Sequence, residues 1–547
     1  MARLSRRSFL LGALAGGTLA ACRGDGPSSS PETTGSATSA PATTVPTTTV
    51  PTTTVPTTTL RPPPPLPGDP FTLGVASGDP LPDSVILWTR LAPEPLAPGG
   101  AGGMPAEQLE VVWEVSETDT FDELSAGGTA AATPLHAHCV HVDVTGLSPS
   151  TTYWYRFRVG PHTSPTGRTR TMPATTGPPG QIVLGHASCQ NFETGMYAAH
   201  RDISTAGLDA LVWLGDYIYE GGARAVGESN VIRSHDGAEA VDLAGYRNRY
   251  ALYKSDPDLQ AAHTSAPWYV IWDDHEVDNN YAGDQSQDPS VPAATFRERR
   301  TAAYQAWWEH QPVRLPAPDG ADYQMRRSFS LGPLAQLFLL DGRQHRSDQA
   351  CGDEVLSLAP PCPETFAPER TMLGDEQERW LLDGLGASRS TWNVIGNQTV
   401  LSDLTLNGAI LNFDQWDGYP DARQRLLYGI DQAGLTNVVT LTGDIHAAGV
   451  ADLTVADENG VHAVGTELVT SSISSTSNLP VGAEAVLAQF PAVLYADGRR
   501  RGWVRSVITP SGWDAEYRAV EDVTRADSAV TVTARFRIDP RTAGAQR

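Results

Sequence analysis

Four short apolar segments of the chain each end at a cluster of polar residues. The segments cover residues 182–185, 211–214, 268–272 and 438–442. Continuous apolar or β-branched runs of this length are typical of strands that are buried on both faces. Because ligands bind beyond the carboxyl ends of the strands in an α/β sheet, the polar groups that follow are expected to meet at one rim. These groups are Cys189, Asp216, Tyr219, Asp274, His275, Asp444 and His446.

The second half of the chain adds helices to these strands. Residues 296–311 predict a helix, because alanine and aromatic side chains recur there at a spacing of four residues. Residues 374–385 predict another helix, which has acidic residues at its N-terminus. Two further strands are expected at 336–341 and 392–397. Strands that alternate with helices and are followed by more strands indicate a layered α/β sandwich over residues 178–547.

A different pattern occupies residues 69–174. Short alternating or apolar runs, such as residues 84–89, are bounded by Gly, Pro and Asp and predict the strands of a small β-sandwich domain. Residues 146–156 resemble the last hairpin of a fibronectin type III domain. In that motif a tyrosine, here Tyr153 or Tyr155, bonds back to the loop backbone.

Three histidines and a cysteine of this domain lie close together in the sequence, which suggests a metal site. On a strand, His136 and His138 would share one face. Cys139 and His141 would share the other face. The four side chains cannot converge on one ion, so we interpret them as structural residues.

The N-terminal segment 1–22 has the features of an export signal. Residues 5–10 closely match a twin-arginine signal, and the apolar stretch that follows is too short to span a bilayer. The stretch ends at Cys22 in a sequence that resembles a bacterial lipobox, which predicts lipidation of this cysteine. The alternative is cleavage at an Ala-x-Ala-type site, which would leave the cysteine unmodified. In both cases we expect an extracytoplasmic protein, either a cell-surface lipoprotein or a secreted one.

Residues 23–68 form a low-complexity segment in which Val-Pro-Thr-Thr-Thr recurs. The segment has no core-forming pattern, so a disordered, extended linker is expected. Such a linker suits a tether that crosses a cell wall.

Composition restricts the partners of the protein. The chain has 63 acidic and 39 basic residues, a formal net charge of -24. This charge argues against nucleic acid or an anionic membrane surface as a main partner, so membrane contact is expected only through the lipid anchor. An acidic protein that binds an anionic substrate needs local positive charge, which bound metal would supply. Five cysteines are too few for a disulfide scaffold.

Two of these cysteines are nevertheless expected to pair. Cys351 and Cys362 close a short loop that is rich in proline and glycine. In an exported protein this spacing predicts a local disulfide.

The residues at the predicted rim suit two metal ions. The first set of candidate ligands is Cys189, Asp216, Tyr219 and His446. This mixture of sulfur, oxygen and nitrogen favours iron, with Fe(III) ahead of zinc. Asp216 is the natural bridging ligand, and with Asp274 and Asp444 it forms an oxygen-rich second site. That site suits a hard divalent ion such as Ca, Mg or Mn.

A metal pair of this kind holds a phosphoryl group and activates water. His275, next to Asp274, is expected to donate a proton to the phosphoryl oxygen or to the leaving group. Each residue alone also has a structural interpretation. A Gly-Asp pair is often only a cap or turn, Tyr219 could belong to the core, and Cys189 could be a small buried hydrophobe. Their occurrence at the ends of separate apolar strands argues against coincidence.

Three motifs of the chain resemble those of the PhoD-like alkaline phosphatases, within the calcineurin-like metallophosphoesterase superfamily. They are GDYIY at 215–219, WDDHE at 272–276 and GDIH at 443–446. Residues 71–80 and 340–344 also look typical of the family, and the similarity extends over about 69–525.

The resemblance implies a fold, a metal content and ligands. The fold would be a four-layer α/β/β/α sandwich preceded by the small fibronectin-like β-sandwich. The implied ligands of Fe(III) are Cys189, Asp216, Tyr219 and His446. The implied ligands of Ca(II) are Asp216, Asp274 and Asp444. Asn280 and Asn397 would be further metal ligands.

The expected function is therefore hydrolysis of phosphate mono- or diesters by an exported enzyme that scavenges phosphate. Two alternatives stay open. One is a wall-anchored binding lipoprotein with a structural metal site. The presence of His275 beside Asp274 argues against this alternative. The other is a metal-dependent hydrolase of a different ester or amide on the same scaffold. The sequence leaves open the physiological substrate, the identity of the metals and the oligomeric state.

Overall fold

The computed structural model describes residues 66–235, 237–352, 360–458, 460–477, 479 and 482–546. The predicted export signal, Cys22 and nearly all of the predicted linker lie outside these residues. The described part contains seven α-helices and 22 strands. The helices are α1 (Ala198–Thr205), α2 (Leu243–Lys254), α3 (Pro257–Ser265), α4 (Ala293–His310), α5 (Gly374–Ala387), α6 (Pro420–Gln432) and α7 (Ala483–Leu487).

The strands fall into an N-terminal and a C-terminal group. The first group is β1 (Val75–Gly78), β2 (Ser84–Arg90), β3 (Leu109–Ser116), β4 (Ala126–Ala132), β5 (Cys139–Thr145), β6 (Thr152–Val159), β7 (His162–Thr163) and β8 (Gly167–Arg170). The second group is β9 (Ile182–Ala187), β10 (Ala210–Leu214), β11 (Trp268–Ile271), β12 (Arg327–Leu331), β13 (Ala335–Leu339), β14 (Trp392–Gly396), β15 (Val438–Thr442), β16 (Ala448–Asp457), β17 (Gly460–Val469), β18 (Val493–Asp497), β19 (Arg501–Thr509), β20 (Gly512–Val520), β21 (Val530–Asp539) and β22 (Thr542–Gln546).

These strands form three sheets. A ten-stranded sheet has the order β22-β21-β20-β19-β9-β10-β11-β1-β2-β5, and a seven-stranded sheet has the order β12-β13-β14-β15-β17-β16-β18. The third sheet has the order β4-β3-β6-β7, with β8 paired to β6. β9, β10 and β11 are parallel neighbours in the first sheet, as are β13, β14, β15 and β17 in the second. The apolar segments that predicted buried strands lie in these parallel regions, so their prediction as strands is confirmed.

The two large sheets face each other across a common core. Trp392 of β14 packs edge-on against Trp513 of β20, with 5.7 Å between ring centroids, and its Nε1 donates to the carbonyl of Thr509. Helices α1 to α4 pack on the ten-stranded sheet, as when Tyr304 of α4 stacks on Trp272 at 4.1 Å. Helices α5 and α6 bury their apolar faces against the seven-stranded sheet. The result is the four-layer α/β/β/α sandwich that the family resemblance implied.

The N-terminal β-sandwich shares a sheet with the rest of the molecule. Its five-stranded sheet packs on β2 and β5, yet these two strands and β1 belong to the ten-stranded sheet. β1 joins that sheet where Gly78 pairs in parallel with Trp268. A Cβ on Gly78 would lie 2.6 Å from the carbonyl oxygen of Trp268 and 2.1 Å from that of Pro312, so the approach requires glycine. The expected N-terminal β-sandwich is present, but it is continuous with the C-terminal layers.

The corner tyrosine of the sandwich is Tyr153. Its hydroxyl accepts a hydrogen bond from the backbone N–H of Ser148 at 2.9 Å. The hydroxyl of Tyr155 is buried and has no hydrogen-bond partner among the described residues. The structure thus distinguishes the two candidates that the sequence left open.

The His/Cys cluster of the sandwich packs against the end of α4. The ring of His141 stacks on Trp308 at 4.4 Å, and its Nε2 lies 2.8 Å from the carbonyl of Gln311. His136 Nδ1 lies 3.8 Å from Oε1 of Glu309. These contacts give the cluster a structural role at the junction of the two regions.

The described cysteines are one pair and two single thiols. Cys351 and Cys362 form a disulfide with 5.8 Å between their Cα atoms. Cys139 and Cys189 are buried free thiols.

No helix in the described part of the chain is long and apolar enough to cross a bilayer.

Candidate metal centre

The polar residues after β9, β10, β11 and β15 lie together at one rim, and several have an unusual backbone. The φ angles of Cys189, Asp216, Asp444 and His446 are 61°, 56°, 63° and 53°. The left-handed region costs a non-glycine residue roughly 1–3 kcal/mol and is enriched at functional sites. Each turn therefore sharply redirects the chain at the strand end. Gly215 makes the turn after β10 possible, because a Cβ there would lie 2.4 Å from Cβ of Asp273.

The first predicted ligand set is assembled around Asp216. Ligand atoms of Cys189, Asp216 and His446 lie within 4.8 Å of one another, and all three residues are buried. The hydroxyl of Tyr219 donates to Oδ2 of Asp216 at 2.7 Å and lies 2.9 Å from Nε2 of His446. The structure brings all four sequence-predicted residues together.

Neighbouring groups orient two of these side chains. Nδ1 of His446 lies 2.7 Å from the carbonyl of Thr476, which leaves Nε2 directed at the site. Ser475 Oγ donates to the hydroxyl of Tyr219 at 2.8 Å. The loop 471–476 thus supports the ligand set, although it carries no charged residue that would have marked it in the sequence.

The thiol and the phenol of this set are protonated without a cation. Burial, followed by the charge of Asp216, raises the pKa of Cys189 well above its ordinary value. The same two causes raise the pKa of Tyr219. A bound metal ion reverses this effect, because coordination removes the proton from a thiol.

A cluster of carboxylates adjoins the first set. Ligand atoms of Asp273, Asp274 and Asp444 lie within 4.8 Å of one another, and those of Asp216, Asp274 and His275 form a further group of the same size. Asp274 is common to both groups. The predicted second site of Asp216, Asp274 and Asp444 is therefore divided over two overlapping groups, and Asp273 is a further carboxylate that the sequence reasoning missed.

These carboxylates repel one another in a buried environment. Burial, together with the charges of Asp414 and Asp274, raises the pKa of Asp444 to about 7 against the opposing effect of Arg343. Burial likewise raises the pKa of Asp273 well above its ordinary value, and that of Asp274 too. Such a concentration of negative charge is stabilised by cations.

One buried arginine of the protein forms ion pairs with several of these carboxylates. The guanidinium of Arg343 contacts Asp273 through Nε and Asp414 through Nη1 at 2.9 Å. Its Nη2 lies 3.3 Å from Asp444 and 3.6 Å from Asp274. In the sequence, residues 340–344 look typical of the family but do not by themselves predict a role for Arg343. Asp414 gave no signal at all, because it lies in an irregular segment rather than at a strand end.

The two asparagines implied as further ligands have different surroundings in the structure. The backbone N–H of Asn280 donates to Oδ2 of Asp274 at 2.6 Å, so this residue lies beside the carboxylate cluster. The side-chain amide of Asn397 donates to the carbonyl of Thr399 and accepts from Nε1 of Trp416 at 3.4 Å. Asn397 thus uses both of its amide groups within the protein. A ligand role for either asparagine stays a prediction.

Glu276 ties the loops after β10 and β11 together. Its buried carboxylate accepts hydrogen bonds from the backbone N–H groups of Asp216 at 3.0 Å and Asp273 at 2.7 Å, and also from Tyr217. Burial and the nearby Asp216 raise the pKa of Glu276 to about 8. The residue acts on the site by fixing the backbone from which two acidic side chains project.

His275, the predicted proton donor, is paired with a carboxylate that the sequence reasoning did not single out. Its Nδ1 lies 2.7 Å from Oε2 of Glu220, and its ring lies 4.1 Å from that of Tyr219. Burial alone would lower the pKa of His275. The charges of Glu220, Asp216 and Asp274 outweigh burial and raise it well above its ordinary value. These carboxylates therefore favour the protonated form of the ring.

The residues fit a metal site by an independent criterion. Oδ1 of Asp216 and Oδ2 of Asp273 are buried and have no hydrogen-bond partner among the described residues. An unpartnered buried carboxylate oxygen is costly unless a cation binds it. The donor set of thiol, phenol, imidazole and carboxylates matches transition-metal and hard-cation chemistry.

An open cavity of about 650 Å³ adjoins these residues, within the roughly 300–1,000 Å³ of small-molecule sites. Its lining includes Tyr219, His275 and His446, together with Glu193 and Arg224. A larger groove of about 880 Å³ between α5 and β12 contains none of the candidate ligands. The smaller cavity is therefore the candidate substrate site.

Comparison with known proteins agrees with this geometry. The PhoD-like phosphatase family matches residues 184–517, and the N-terminal domain of PhoD-like phosphatases matches residues 58–173. Alkaline phosphatase D of Bacillus subtilis (strain 168) is 43% identical over 476 residues, which cover 85% of this chain and 80% of the relative. A solved structure described as the structure of PhoD aligns with a TM-score of 0.84 and 41% identity, covering 88% of this chain and 93% of the other.

Members of this family are metal-dependent, which agrees with the clustered ligands at the rim. The shared fold, the sequence identity over most of the chain and the convergent site lead to one conclusion. The chain belongs to the PhoD-like phosphatase family and is an alkaline phosphatase D-like phosphoesterase, a hydrolase of phosphoric esters.

Proposed function

We propose that this chain is an exported phosphatase or phosphodiesterase that releases phosphate from esters outside the cytoplasm. The observation that carries the proposal is the position of Asp216. Its carboxylate lies between the thiol, phenol and imidazole groups on one side and the acidic cluster on the other, and its Oδ1 is unpartnered. A carboxylate in this position would share its charge between two bound cations.

The donor types support a specific pair of metals. Cys189, Asp216, Tyr219 and His446 would hold Fe(III), and Asp216, Asp274 and Asp444 would hold Ca(II); Zn, Mn or Mg are the alternatives. Metal ions bound here would supply Lewis acidity, which neutralises a phosphoryl group and activates water for attack. Arg343 would keep the remaining carboxylates from repelling the phosphate.

The protein itself supplies the proton that the leaving group needs. His275 is held through Nδ1 by Glu220, so its Nε2–H is available to the substrate cavity that the ring lines. The protonated ring would donate to the ester oxygen as it leaves. Glu220 acts as a positioning residue, since it fixes the ring and favours the charged form.

The test uses protein exported from its native host. Metal analysis should find iron and calcium, and a chromogenic phosphomonoester and phosphodiester should both be assayed. Asp216→Asn should lose activity on either ester and lose metal, whereas Asp527→Asn, at an exposed residue, should change neither. Full metal content without turnover of any phosphate ester would overturn the proposal.

The proposed location has its own test. Arg6→Lys combined with Arg7→Lys should retain the precursor in the cytoplasm, and Cys22→Ser should release the protein from the membrane fraction. Normal export of the double variant would exclude the twin-arginine route. Unchanged membrane association of the cysteine variant would exclude the lipid anchor.

A further inference from the structure

The substrate cavity exposes a cation and buries the carboxylate that pairs with it. The side chain of Arg224 is 42% exposed, whereas that of its partner Glu193 is 2% exposed. Both residues belong to the lining of the cavity. A ligand that enters the cavity therefore meets the arginine more readily than its partner.

Arg224 is held in place by one side of its guanidinium. Its Nε donates to Oε2 of Glu193 at 2.6 Å, and its backbone N–H donates to Oε1 at 2.8 Å. Neither Nη1 nor Nη2 has a protein partner among the described residues. The anchored arginine thus retains two parallel N–H donors, the arrangement that binds a carboxylate or phosphate in bidentate fashion.

The anchor is itself fixed relative to the metal centre. Glu193 lies four residues after Cys189 on the same loop, and its backbone N–H donates to Oδ1 of Asn191 at 2.9 Å. Oε1 of Glu193 also accepts from the backbone N–H of His235 at 3.1 Å, and its carbonyl accepts from Ile232 at 2.8 Å. These bonds tie the segment that carries Arg224 to the loop that carries a candidate metal ligand.

An ordinary solvated ion pair does not explain this arrangement. Exposed pairs contribute little to stability, and both of their members are usually accessible. Here the carboxylate is almost entirely buried, whereas the arginine that pairs with it is partly exposed in the cavity. The chain carries a net charge of -24, so an anionic substrate arm is repelled unless fixed local donors receive it.

We propose that Arg224 binds a second negatively charged group of the substrate. The favoured substrates would be phosphate esters that carry a carboxylate or a further phosphate in addition to the scissile group. This inference rests on the proposed function and extends it to a substrate class. The metal centre and His275 receive the scissile phosphate, and Arg224 receives the second anion within the same cavity.

The test compares ω-phosphooxyalkanoates of increasing chain length with their neutral carboxamides, in the metal-loaded enzyme. For at least one chain length, the wild type should show a kcat/KM for the carboxylate at least about tenfold above that for the carboxamide. In Arg224→Gln this ratio should fall to about one, mainly through KM. Arg224→Lys should retain part of the preference. Arg525→Gln, at an exposed arginine that does not line the cavity, should leave the ratio unchanged.

Ionic strength provides a measurement that needs no variant. Added salt should reduce the wild-type preference, because the proposed contact is ionic and solvent-accessible. A ratio near one at every chain length, or a preference that persists in Arg224→Gln, would overturn the inference. If only diesters are hydrolysed, the same comparison is made with the methyl phosphodiesters of these compounds. If neither the monoesters nor the diesters are hydrolysed, the proposed function itself fails, which is a distinct outcome.

Discussion

The hydroxyl of Tyr219 donates a hydrogen bond to Oδ2 of Asp216 at 2.7 Å, three residues earlier in the chain. The contact spans a tight turn in which Asp216 has a φ of 56°. A tyrosine that merely fills a core does not need such a turn. The relationship places a phenol where it can share a cation with the proposed bridging carboxylate.

Tyr219→Phe tests this relationship. The change keeps the ring and its packing but removes the proposed anionic ligand. We expect activity to fall at least about tenfold, because the loss of a metal-orienting group usually costs that much. A phenolate-to-iron charge-transfer band in the visible spectrum of the wild type should disappear, and the fold should persist.

The matched control is Tyr155→Phe, which removes a buried hydroxyl without a partner among the described residues. It should change neither spectrum nor activity. A colourless wild type that contains zinc, with Tyr219→Phe fully active, would refute the iron–phenolate assignment and leave the phosphoesterase function intact.

Arg343→Met tests the acidic cluster. The substitution removes the buried cationic partner of Asp273 and one of the two that Asp414 has, the other being Arg346, so metal-free protein should lose about 3–5 kcal/mol of stability. Added Ca²⁺ should recover part of this loss, because the unpaired carboxylates then bind the cation. Thermal unfolding with a chelator and with Ca²⁺ measures the difference.

Arg90→Met serves as the comparison for Arg343→Met. Arg90 is equally buried, but its nearest partners are the carbonyls of Ala137 and Gly100 and the ring of His310. Its loss should destabilise the protein to the same extent with and without Ca²⁺. Equal calcium responses in the two variants would contradict a cation site beside Arg343.

His186→Leu tests the acid sensitivity of the core. Burial lowers the pKa of His186 to about 3, and neither ring nitrogen has a hydrogen-bond partner among the described residues. An unfolded histidine binds a proton below about pH 6.5, so the unfolded state gains protons first and stability falls as the pH drops from 6.5 towards 3. The group accounts for about 2 kcal/mol between pH 7 and 5. Urea unfolding at these two pH values should show a smaller difference in the variant; an equal difference would exclude a neutral buried His186.

Replacing Cys351 and Cys362 together by serine tests the disulfide. The bridge closes a loop with a sequence separation of 11, so its loss should cost about 3 kcal/mol in the loop-entropy model. Activity should be unaffected, since neither cysteine is among the candidate ligands. Peptide mapping without reductant should show this bridge in the wild type. A bridge to Cys189 would remove that thiol from the metal centre.

The sequence was most informative where a residue follows an apolar strand. Asp216, Asp274 and His446 could be predicted because buried strands have a strong local pattern and parallel strands end at a common rim. Asp414 and Ser475 could not, since they lie on irregular segments that only the tertiary fold brings to the site. Their contacts with Arg343 and Tyr219 cross tens to hundreds of residues of chain, and no local pattern records them.

The sheet that the N-terminal strands join could not be predicted from the sequence either. Alternating apolar residues in β2 and β5 indicate strands, but not which sheet the strands join. That choice depends on the parallel contact between Gly78 and Trp268. Trp268 lies far from both strands in the sequence. The local sequence pattern therefore predicts a self-contained sandwich, whereas in the structure β2 and β5 belong to the ten-stranded sheet.

The shared sheet has a consequence for the inheritance of this chain. The two family segments meet between residues 173 and 184, where a recombination breakpoint looks harmless in the sequence. A descendant that kept only the second segment would expose the backbone edge of β11, which β1 now covers, and such an edge readily pairs with another molecule. The buried contacts of Trp88 with Glu309 and of Arg90 with His310 would be lost as well. The N-terminal sandwich and the metal centre are thus expected to be passed on as one unit, and not exchanged as modules.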